Sequence, residues 1–317
     1  MKLCIVGTGM IANEVAKALR SEAPEIEITA ICAHSNRAKA EEMAKANHIP
    51  KVYTDYAELL RDDNADFVYL GIVNTAHFSY ARQALLAGRN VIVEKPFTTT
   101  VEEARTLVSL ARERHLWLFE AITTLHLPNF RLAKELLPRI APIRIIQANY
   151  SQYSSRYDRY LSGDVAPAFN PELGGGALND IGIYNINAVV GLLGKPLTAQ
   201  YYPNRGFNGV DTSGVLIMQY PSATAVCISA KDSTSPSGIT IQGEKGTLTI
   251  PSPPNAATKV TLTINGKTEE WQENQYASRL VHEFKDFERI WLSHDITAMT
   301  QSLNTSIAVI EVLVSVR

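Results

Sequence analysis

The sequence predicts an α/β protein with a doubly wound, mostly parallel sheet at its N-terminus, followed by an α+β domain with an open, largely antiparallel sheet. Three observations support this prediction. Short β-rich apolar runs alternate with helical patterns over the first 120 residues, β-rich runs separated by turn signals dominate the second half, and 317 residues exceed the usual size of one domain. We therefore predict two domains, over residues 1–121 and 122–317.

The elements of the first domain follow from changes in hydrophobic periodicity. Apolar runs rich in β-branched residues predict strands over 2–6, 26–33, 67–72, 90–94 and 116–119. Helical spacing with nearby Gly or Pro predicts helices over 10–20, 37–46, 78–87 and 101–114. Strands that alternate with helices in this way form parallel sheets with helices on both faces.

The second domain has a different order of elements. Helical patterns predict helices over 129–137 and 177–193, with a polar, aromatic stretch between a strand over 143–153 and the second helix. Further strands are predicted over 198–202, 213–220, 225–231, 238–242, 247–250 and 259–264. Near the C-terminus, apolar residues at helical spacing are expected to pack one helix face against the core: Leu280, Phe284, Phe287 and Trp291.

Composition excludes several classes of function. Thirty basic residues against 32 acidic ones give a net charge of −2 without a basic block, so nucleic acid is not an expected partner. The seven histidines lack HxxxH spacing, so no metal site is predicted.

The location predicted from the sequence is the cytoplasm. Cys4, Cys32 and Cys227 are odd in number and lack CxxC spacing, which fits a reducing compartment. No apolar run approaches the roughly 20 residues that span a bilayer, so no membrane association is expected. The apolar stretch near the N-terminus superficially resembles a signal peptide, but Gly7 and Gly9 interrupt it.

A glycine motif directly after the first predicted strand indicates dinucleotide binding. It reads G-x-G-x-x-A and comprises Gly7, Thr8, Gly9, Met10, Ile11 and Ala12. The first glycine allows a tight turn, the second lets the backbone approach a pyrophosphate, and Ala12 permits close helix packing. The N–H groups at the helix start then face the phosphates, so the first five of these residues are predicted cofactor contacts. The alternative is a plain glycine turn.

The end of the second predicted strand favours NADP(H) over NAD(H). NAD-binding folds commonly carry an acidic residue here that binds the ribose hydroxyls, and none is present. The residues after Ala33 are His34, Ser35, Asn36 and Arg37, with Lys39 close behind. Their donors and positive charge suit a 2′-phosphate, so Ser35, Asn36 and Arg37 are predicted cofactor contacts. The alternative is that Ser35 or Asn36 caps the next helix while Arg37 and Lys39 are solvated.

Polar residues that follow two further strands are predicted to face the ligand crevice. Glu94, Lys95 and Pro96 end the strand over 90–94, at the carboxyl edge where doubly wound sheets bind ligands. The alternative for this tripeptide is a structural salt bridge. Asn74 and His77 follow the strand over 67–72 and are predicted to line the nicotinamide side, although His77 equally fits a helix cap.

The helix predicted over 177–193 follows three glycines and carries a second candidate site. Asp180 and Tyr184 are four residues apart, so a helix places them on one face. The glycines allow the backbone to lie close to a ligand or to the other domain. The alternative is that Asp180 accepts hydrogen bonds in the first turn while Tyr184 only packs.

The aromatic stretch before this helix supplies further candidate substrate contacts, for which packing or interface use is an equal alternative. The candidate contacts are Tyr153, Arg156, Tyr157 and Asp158, together with His126, which lies upstream of the stretch.

Together, the glycine motif, Glu94-Lys95-Pro96 and the segment 174–184 resemble the Gfo/Idh/MocA oxidoreductase family over essentially the whole chain. The resemblance implies that Lys95 lies beside the nicotinamide and the substrate, and that a cis bond precedes Pro96. It also implies a homo-oligomer, dimer or tetramer, formed through the open sheet of the second domain.

Tyr184 indicates a particular subgroup of this family, because many family members have His at its position. With tyrosine at this position, the chain resembles the subgroup that contains dimeric dihydrodiol dehydrogenases and glucose-fructose oxidoreductase. In that subgroup the phenol is the proposed acid/base. Glu120-Ala121-Ile122, followed by Pro128, is also similar to the dihydrodiol branch. The chain departs from that branch where Trp, Arg and Phe are expected, which argues against an aromatic diol; the residues there are Thr123, Leu125 and His126.

These features predict an NADP(H)-dependent oxidoreductase that transfers a hydride between nicotinamide and a secondary alcohol or carbonyl of a small sugar, polyol or diol-type substrate. Tyr184 is predicted as the general acid/base, Lys95 as its electrostatic and orienting partner, and Asp180 as a positioning group for Lys95 or a substrate hydroxyl. Two alternatives remain open: a non-enzymatic NADP-binding regulator, and an enzyme that holds its nucleotide tightly for elimination or epimerisation.

Overall fold

A computed structural model of the protein describes residues 1–33 and 36–316. The chain forms two compact units, one of residues 1–121 with 276–304, the other of residues 122–275 with those from 305 onward. The sequence placed every residue after 121 in a second domain, whereas the segment 276–304 packs within the first unit. The assignment of the two units to nucleotide and substrate binding stays a prediction.

The first unit contains the predicted parallel sheet. Over the described residues its six strands, in spatial order β3-β2-β1-β4-β5-β6, are all parallel. They are β1 (Lys2–Val6), β2 (Glu27–Cys32), β3 (Lys51–Tyr53), β4 (Phe67–Leu70), β5 (Asn90–Glu94) and β6 (Leu118–Ala121). The helices between them are α1 (Met10–Glu22), α2 (Arg37–Asn47), α3 (Tyr56–Leu60), α4 (His77–Leu86) and α5 (Val101–Glu113). The strand order reverses between β1 and β4, which is where such sheets bind ligands.

Between residues 1 and 121, the long elements were predicted from the sequence and the short ones were not. The five predicted strands and four predicted helices are present with shifts of a few residues, and the doubly wound fold is confirmed. The strand Lys51–Tyr53 and the helix Tyr56–Leu60 were not predicted. Elements of three to five residues are too short to show a hydrophobic period, so local sequence does not reveal them.

The apolar face predicted near the C-terminus forms a helix that packs within the first unit. This helix is α10 (Arg279–Leu292), and Leu280, Phe284 and Phe287 are buried on it. The Phe287 ring stacks on Phe119 with 4.7 Å between ring centroids. Periodicity correctly predicted the helix, whereas only this long-range packing shows which sheet it covers.

The second unit contains an open, mostly antiparallel sheet. The described residues form eight strands in the order β14-β13-β12-β11-β7-β10-β9-β8, of which β7 and β10 are paired in parallel near the centre. They are β7 (Ile143–Ser151), β8 (Thr198–Arg205), β9 (Asp211–Gln219), β10 (Thr224–Ala230), β11 (Gly238–Gly243), β12 (Gly246–Ile250), β13 (Val260–Ile264) and β14 (Lys267–Trp271). The predicted α+β class is therefore confirmed.

The remaining helices include the one that carries the second candidate site. They are α6 (Thr123–His126), α7 (Pro128–Ile140), α8 (Tyr157–Leu161), α9 (Ile183–Leu193) and α11 (Ile296–Ser315). The helix predicted over 177–193 is not uniform, because a π-helical segment, Leu178–Gly182, precedes α9. Such wide turns are rare in proteins, and those that occur often lie at functional sites.

Neither a membrane-spanning helix nor a metal-binding cluster is present among the described residues. Within the described ranges, every helix is too short or too polar to cross a membrane. The His, Cys, Asp and Glu side chains of the same ranges form no group of three suited to a metal ion.

Candidate active site

The turn between β1 and α1 requires glycine at its first position. Gly7 has a φ of 113°, and its N–H donates to the Cys32 carbonyl at 2.9 Å. A Cβ on Gly7 would overlap the carbonyl oxygen of Gly71, which follows β4. Gly7 therefore lets the turn lie directly against the end of the neighbouring strand.

Gly9 occupies a different environment in the same turn. It is the residue before α1, has a φ of −68°, and would place a Cβ no closer than 3.8 Å to any neighbouring atom. Met10 begins the helix with a side chain that is 60% exposed. The packing of the protein therefore requires glycine at position 7 but leaves space at position 9.

The predicted ribose-binding segment lies partly outside the described residues, because the structure does not describe His34 and Ser35. Asn36 caps α2, and its side-chain oxygen accepts a hydrogen bond from the Lys39 N–H at 2.9 Å. The Arg37 Nε donates to Glu41 at 2.7 Å, and both side chains are more than half exposed. The capping alternative thus describes Asn36, while Arg37 presents its guanidinium at the surface beside a carboxylate.

His77 lies at the start of α4 and is fully buried. Its ring nitrogens lie 2.8 Å from the Pro96 carbonyl and 3.2 Å from the Ile72 carbonyl. Burial lowers the pKa of His77, which favours a neutral ring, although both carbonyls oppose this effect. The sequence placed His77 along the nicotinamide side, and the structure shows its ring joining the segments that follow β4 and β5. Asn74 begins a half-buried 3-10 turn, Asn74–Ala76, which directly precedes this helix.

The segment that ends β5 is built around a buried carboxyl group. Glu94 is 5% exposed and accepts a hydrogen bond from the Tyr69 hydroxyl at 2.7 Å and from the Lys95 backbone N–H at 3.3 Å. Burial raises the pKa of Glu94, while the Tyr69 hydrogen bond and the charges of Lys95 and Arg279 oppose the rise. The Lys95–Pro96 bond is cis, as the family resemblance implies. Glu94 therefore braces the backbone from which the Lys95 side chain extends.

The start of the second candidate site is anchored by an aspartate that sequence analysis did not single out. The Asp211 carboxylate accepts hydrogen bonds from the Leu178 N–H and the Tyr201 hydroxyl, both at 2.7 Å. Burial raises the pKa of Asp211, and these two hydrogen bonds oppose the rise. Gly176 has a φ of 118°, and a Cβ there would overlap the Asp211 carboxylate. Glycine at this position thus accommodates Asp211, in the same unit.

Asp180 forms an ion pair that the sequence did not predict. Its Oδ2 lies 2.8 Å from the Lys231 Nζ, just after β10. Lys231 is 3% exposed and Asp180 is 35% exposed, so the lysine is the buried partner. A lysine at the end of an apolar strand is visible in the sequence. The pairing of this lysine with Asp180 is not visible in the sequence, because Asp180 lies far away along the chain.

Tyr184 lies in the first turn of α9 and is 7% exposed. Its ring centroid is 5.9 Å from that of Tyr150 on β7. The next residue, Asn185, donates to the Ile228 carbonyl at 2.8 Å, which ties this turn to β10. Asp180 and Tyr184 are thus carried by consecutive turns, the first π-helical and the second α-helical, and their placement on one face stays a prediction.

The other candidate substrate contacts interact largely with one another. The Tyr153 hydroxyl donates to Asp158 at 2.6 Å, and the Tyr153 and Tyr157 rings meet edge to face at 5.4 Å. Tyr157 also stacks on Tyr160 at 5.8 Å. His126 is buried in α6. The choice between substrate binding and packing for these residues stays a prediction.

Each unit therefore presents one group of candidate residues. At the carboxyl ends of β1, β4 and β5, the first unit places the glycine turn, Asn74 and Lys95. The second unit carries Asp180, which pairs with the unpredicted Lys231, and Tyr184 in the following helical turn. The pairing of Lys95 with Tyr184 joins one residue from each unit and stays a prediction.

Comparisons with known proteins match both units. The family described as Gfo/Idh/MocA, "Oxidoreductase family, NAD-binding Rossmann fold", matches residues 1–121, and the Gfo/Idh/MocA C-terminal domain matches residues 130–249. The scyllo-inositol 2-dehydrogenase (NADP(+)) IolU of Bacillus subtilis is 35% identical over 250 residues, covering 79% of this chain and 76% of that protein. The trans-1,2-dihydrobenzene-1,2-diol dehydrogenase of Xenopus tropicalis is 31% identical over 271 residues, covering 83% and 78%.

A solved structure is similar over the full chain. It is the crystal structure of KijD10, a 3-ketoreductase from Actinomadura kijaniata, in complex with NADP and TDP-benzene. The TM-score is 0.84 with 25% sequence identity, and the match covers 100% of this chain and 98% of that one.

Proposed function

The chain belongs to the Gfo/Idh/MocA oxidoreductase family, and from this premise we propose that it transfers a hydride reversibly between NADP(H) and a secondary alcohol or carbonyl of a sugar, polyol or diol-type molecule. The observation that carries the proposal is the buried helix start with a carboxylate at Asp180 and a phenol at Tyr184. The printed activities of the inositol and dihydrodiol dehydrogenases support a substrate with neighbouring hydroxyl groups. Membership of an oxidoreductase family favours an enzyme over a non-enzymatic regulator.

Nucleotide binding at the β1–α1 turn is supported by the two glycines together. The fold itself requires glycine at position 7. A Cβ on Gly9 would lie 3.8 Å from the nearest atom, so packing within the protein does not explain why position 9 is glycine. A pyrophosphate against the backbone explains it, because a side chain at Gly9 would stand between the phosphate and the N–H groups of α1. We assign Gly7, Thr8, Gly9, Met10 and Ile11 to this contact.

The preference for NADP(H) over NAD(H) rests on the residues after β2. Positions 34–37 contain no acid, and the exposed Arg37 guanidinium suits a 2′-phosphate. Ser35 and Asn36 complete the proposed contact, and Asn36 also caps α2. The NADP named for the Bacillus relative and for the solved structure supports the same choice.

Replacing Arg37 by Ala is expected to weaken NADP⁺ binding by roughly 10- to 100-fold and to leave NAD⁺ binding unchanged, because a charge-assisted hydrogen bond to the phosphate is lost. Titration of the protein with each nucleotide measures both dissociation constants. The matched control is Glu41→Gln, which removes the Arg37 ion pair and keeps the guanidinium, and should bind NADP⁺ at least as well as the unaltered protein. An equal loss for both nucleotides would remove Arg37 from the 2′-phosphate contact.

The chemistry divides between the nucleotide and the side chains. The nicotinamide, when bound, supplies or accepts the hydride at its C4. In reduction, the Tyr184 hydroxyl donates its proton to the carbonyl oxygen as the carbon gains the hydride; in oxidation, the tyrosinate accepts the alcohol proton. The Lys95 ammonium stabilises the tyrosinate, and Asp180 accepts a hydrogen bond from a second substrate hydroxyl. Glu94 and His77 hold the segment that carries Lys95, and Asn74 is assigned to the nicotinamide side.

The proposal is tested by adding NADPH and a panel of inososes, ketoses, diols and dicarbonyls, and following nicotinamide absorbance. Oxidation of NADPH with at least one hydroxyketone is expected. A tight NADPH complex without turnover on any member would overturn the proposal. Turnover that consumes no free nucleotide would instead indicate epimerisation or elimination with a tightly held cofactor.

We further propose that two or more copies associate through the open sheet of the second unit. Strand pairing aligns Ile228, Val215 and Tyr202 on one face, and Ile145 lies on the same face of β7. Ile145, Ile228 and Tyr202 are 39%, 38% and 52% exposed. A row of exposed apolar side chains on a sheet is typical of an interface.

Replacing Ile228 by Lys is expected to shift the protein from an oligomer to a monomer, because it inserts a charge into this apolar row. Light scattering coupled to size-exclusion chromatography measures the mass of each species. Gln83→Lys, at an exposed position of α4, is the charge-matched control and should keep the oligomer. A monomeric unaltered protein would contradict the proposed association.

We retain the cytoplasm as the proposed location. Each of the three cysteines is a buried thiol, and burial raises the pKa of Cys4 and Cys32 to about 11. Thiols held protonated in this way are poorly reactive, which fits a structural role in a reducing compartment.

A further inference from the structure

Lys231 is a charged residue in a position that usually excludes charge. It directly follows β10, and its N–H donates to the Thr212 carbonyl at 2.8 Å, which fixes its backbone next to β9. Its side chain is only 3% exposed. Buried lysine is rare because removing an ammonium from water is costly, so such a residue needs strong compensating contacts.

Three contacts compensate for this burial, two from one 3-10 turn of the second unit and one from the segment that carries Asp180. The Lys231 Nζ donates to the Ala168 carbonyl at 2.6 Å and to Asp180 Oδ2 at 2.8 Å. It also lies 4.1 Å from the centroid of the Phe169 ring. The ammonium thus connects the end of β10, the 3-10 turn Pro167–Phe169 and the π-helical segment that carries Asp180.

Two side chains of the second unit, Asp211 and Lys231, therefore hold the start of the site helix. Asp211 accepts the Leu178 backbone N–H, and Lys231 donates to the Asp180 side chain two residues later. A π-helical turn is less favourable than an α-helical one and persists where its surroundings determine it. Asp211 fixes this turn by binding its backbone at Leu178, and Lys231 fixes it by binding the Asp180 side chain.

We propose that Lys231 is a positioning residue that orients Asp180 so that its carboxylate binds a substrate hydroxyl beside Tyr184. The inference rests on the proposed function, because it assigns Asp180 to substrate binding. Lys231 itself acts through Asp180 and does not contact the reacting atoms.

The first test measures the carboxyl group directly and needs no turnover. Aspartate carboxyl carbons are labelled with ¹³C, the Asp180 resonance is assigned by its loss in Asp180→Asn, and its pH titration is recorded. In Lys231→Met this resonance is expected to titrate about one pH unit or more higher than in the unaltered protein, because the stabilising cation is gone. Lys231→Arg keeps the charge and should titrate close to the unaltered protein. An unshifted titration in Lys231→Met would overturn the inference.

The second test uses the enzyme with NADPH and a hydroxyketone. Lys231→Met is expected to raise KM about tenfold or more with a smaller effect on kcat, and to leave the NADPH dissociation constant unchanged. Adding Lys231→Met to Asp180→Asn should have little further effect on KM, because both act on one interaction. Additive effects would reduce Lys231 to a structural role and contradict the inference.

The two tests separate the possible failures. If the unaltered protein reduces no compound, the proposed function fails while the titration still decides the role of Lys231. If Lys231→Met does not fold, Lys231→Arg and Asp180→Asn carry the comparison: a KM close to that of the unaltered protein in the arginine variant and a raised KM in the asparagine variant support positioning. A raised KM in a folded arginine variant counts against it.

Discussion

Tyr184→Phe is expected to lower kcat by about 10²- to 10⁴-fold, which is the usual contribution of a positioned acid/base group. The substitution removes one hydroxyl and keeps the ring, so packing against Tyr150, 5.9 Å away between centroids, remains. Nucleotide binding is expected to be unchanged, because the phosphate turn lies in the first unit. Steady-state kinetics, a nucleotide titration and a melting curve measure the three quantities on one preparation.

The matched control for this prediction is Tyr150→Phe. It removes a hydroxyl from the neighbouring ring, where the only effect expected is loss of weak hydrogen bonds at 3.3 and 3.4 Å to Gln152 and Asn255. Turnover in that variant should stay within about threefold of the unaltered protein. Turnover preserved in Tyr184→Phe, or lost equally in both variants, would remove Tyr184 as the acid/base.

Gly7→Ala is expected to destabilise the protein by at least about 2 kcal/mol, because it combines an unfavourable backbone conformation with steric overlap. The φ of Gly7 is 113°, and the overlap is with a backbone carbonyl that no side-chain rotation relieves. Thermal unfolding of the variant without nucleotide measures the loss as a lower midpoint, and the yield of folded protein should fall with it.

Gly9→Ala is the control that separates folding from binding. Its φ of −68° is allowed for alanine and its Cβ would lie 3.8 Å from the nearest atom, so the unfolding midpoint should not change. NADPH binding should nevertheless weaken about tenfold or more, because the methyl group occupies the side from which the pyrophosphate approaches. If both alanine variants were equally stable, the argument for Gly7 would be wrong. If Gly9→Ala bound NADPH normally, the phosphate would lie elsewhere.

Much of the fold was predictable because its main elements carry local patterns. The alternation of apolar strands and helices predicted the parallel sheet, and the spacing of Leu280, Phe284 and Phe287 predicted a helix. The π-helical turn Leu178–Gly182 was not predictable, because a single turn of five residues is too short to show a hydrophobic period of its own. The short strand Lys51–Tyr53 depends on its pairing with β2 and has too few residues for a period of its own.

The candidate site shows the same division at the level of single residues. Glycines, the Glu94-Lys95-Pro96 tripeptide and the Asp180–Tyr184 spacing are visible along the chain, because each is a local motif. The partners of these residues are not visible there. Tyr69 for Glu94, Asp211 for the Leu178 N–H and Lys231 for Asp180 all come from distant segments.

The sequence by itself determined the fold class, the family and the residue types available for chemistry, since these depend on periodicity and on short motifs. Only the tertiary structure decided that α10 packs with the first sheet, that His77 is buried between two carbonyls, and that a buried lysine holds Asp180. The physical reason is that hydrogen bonds and ion pairs depend on distances of about 3 Å between atoms, and these distances exist only once distant segments of the chain have packed together.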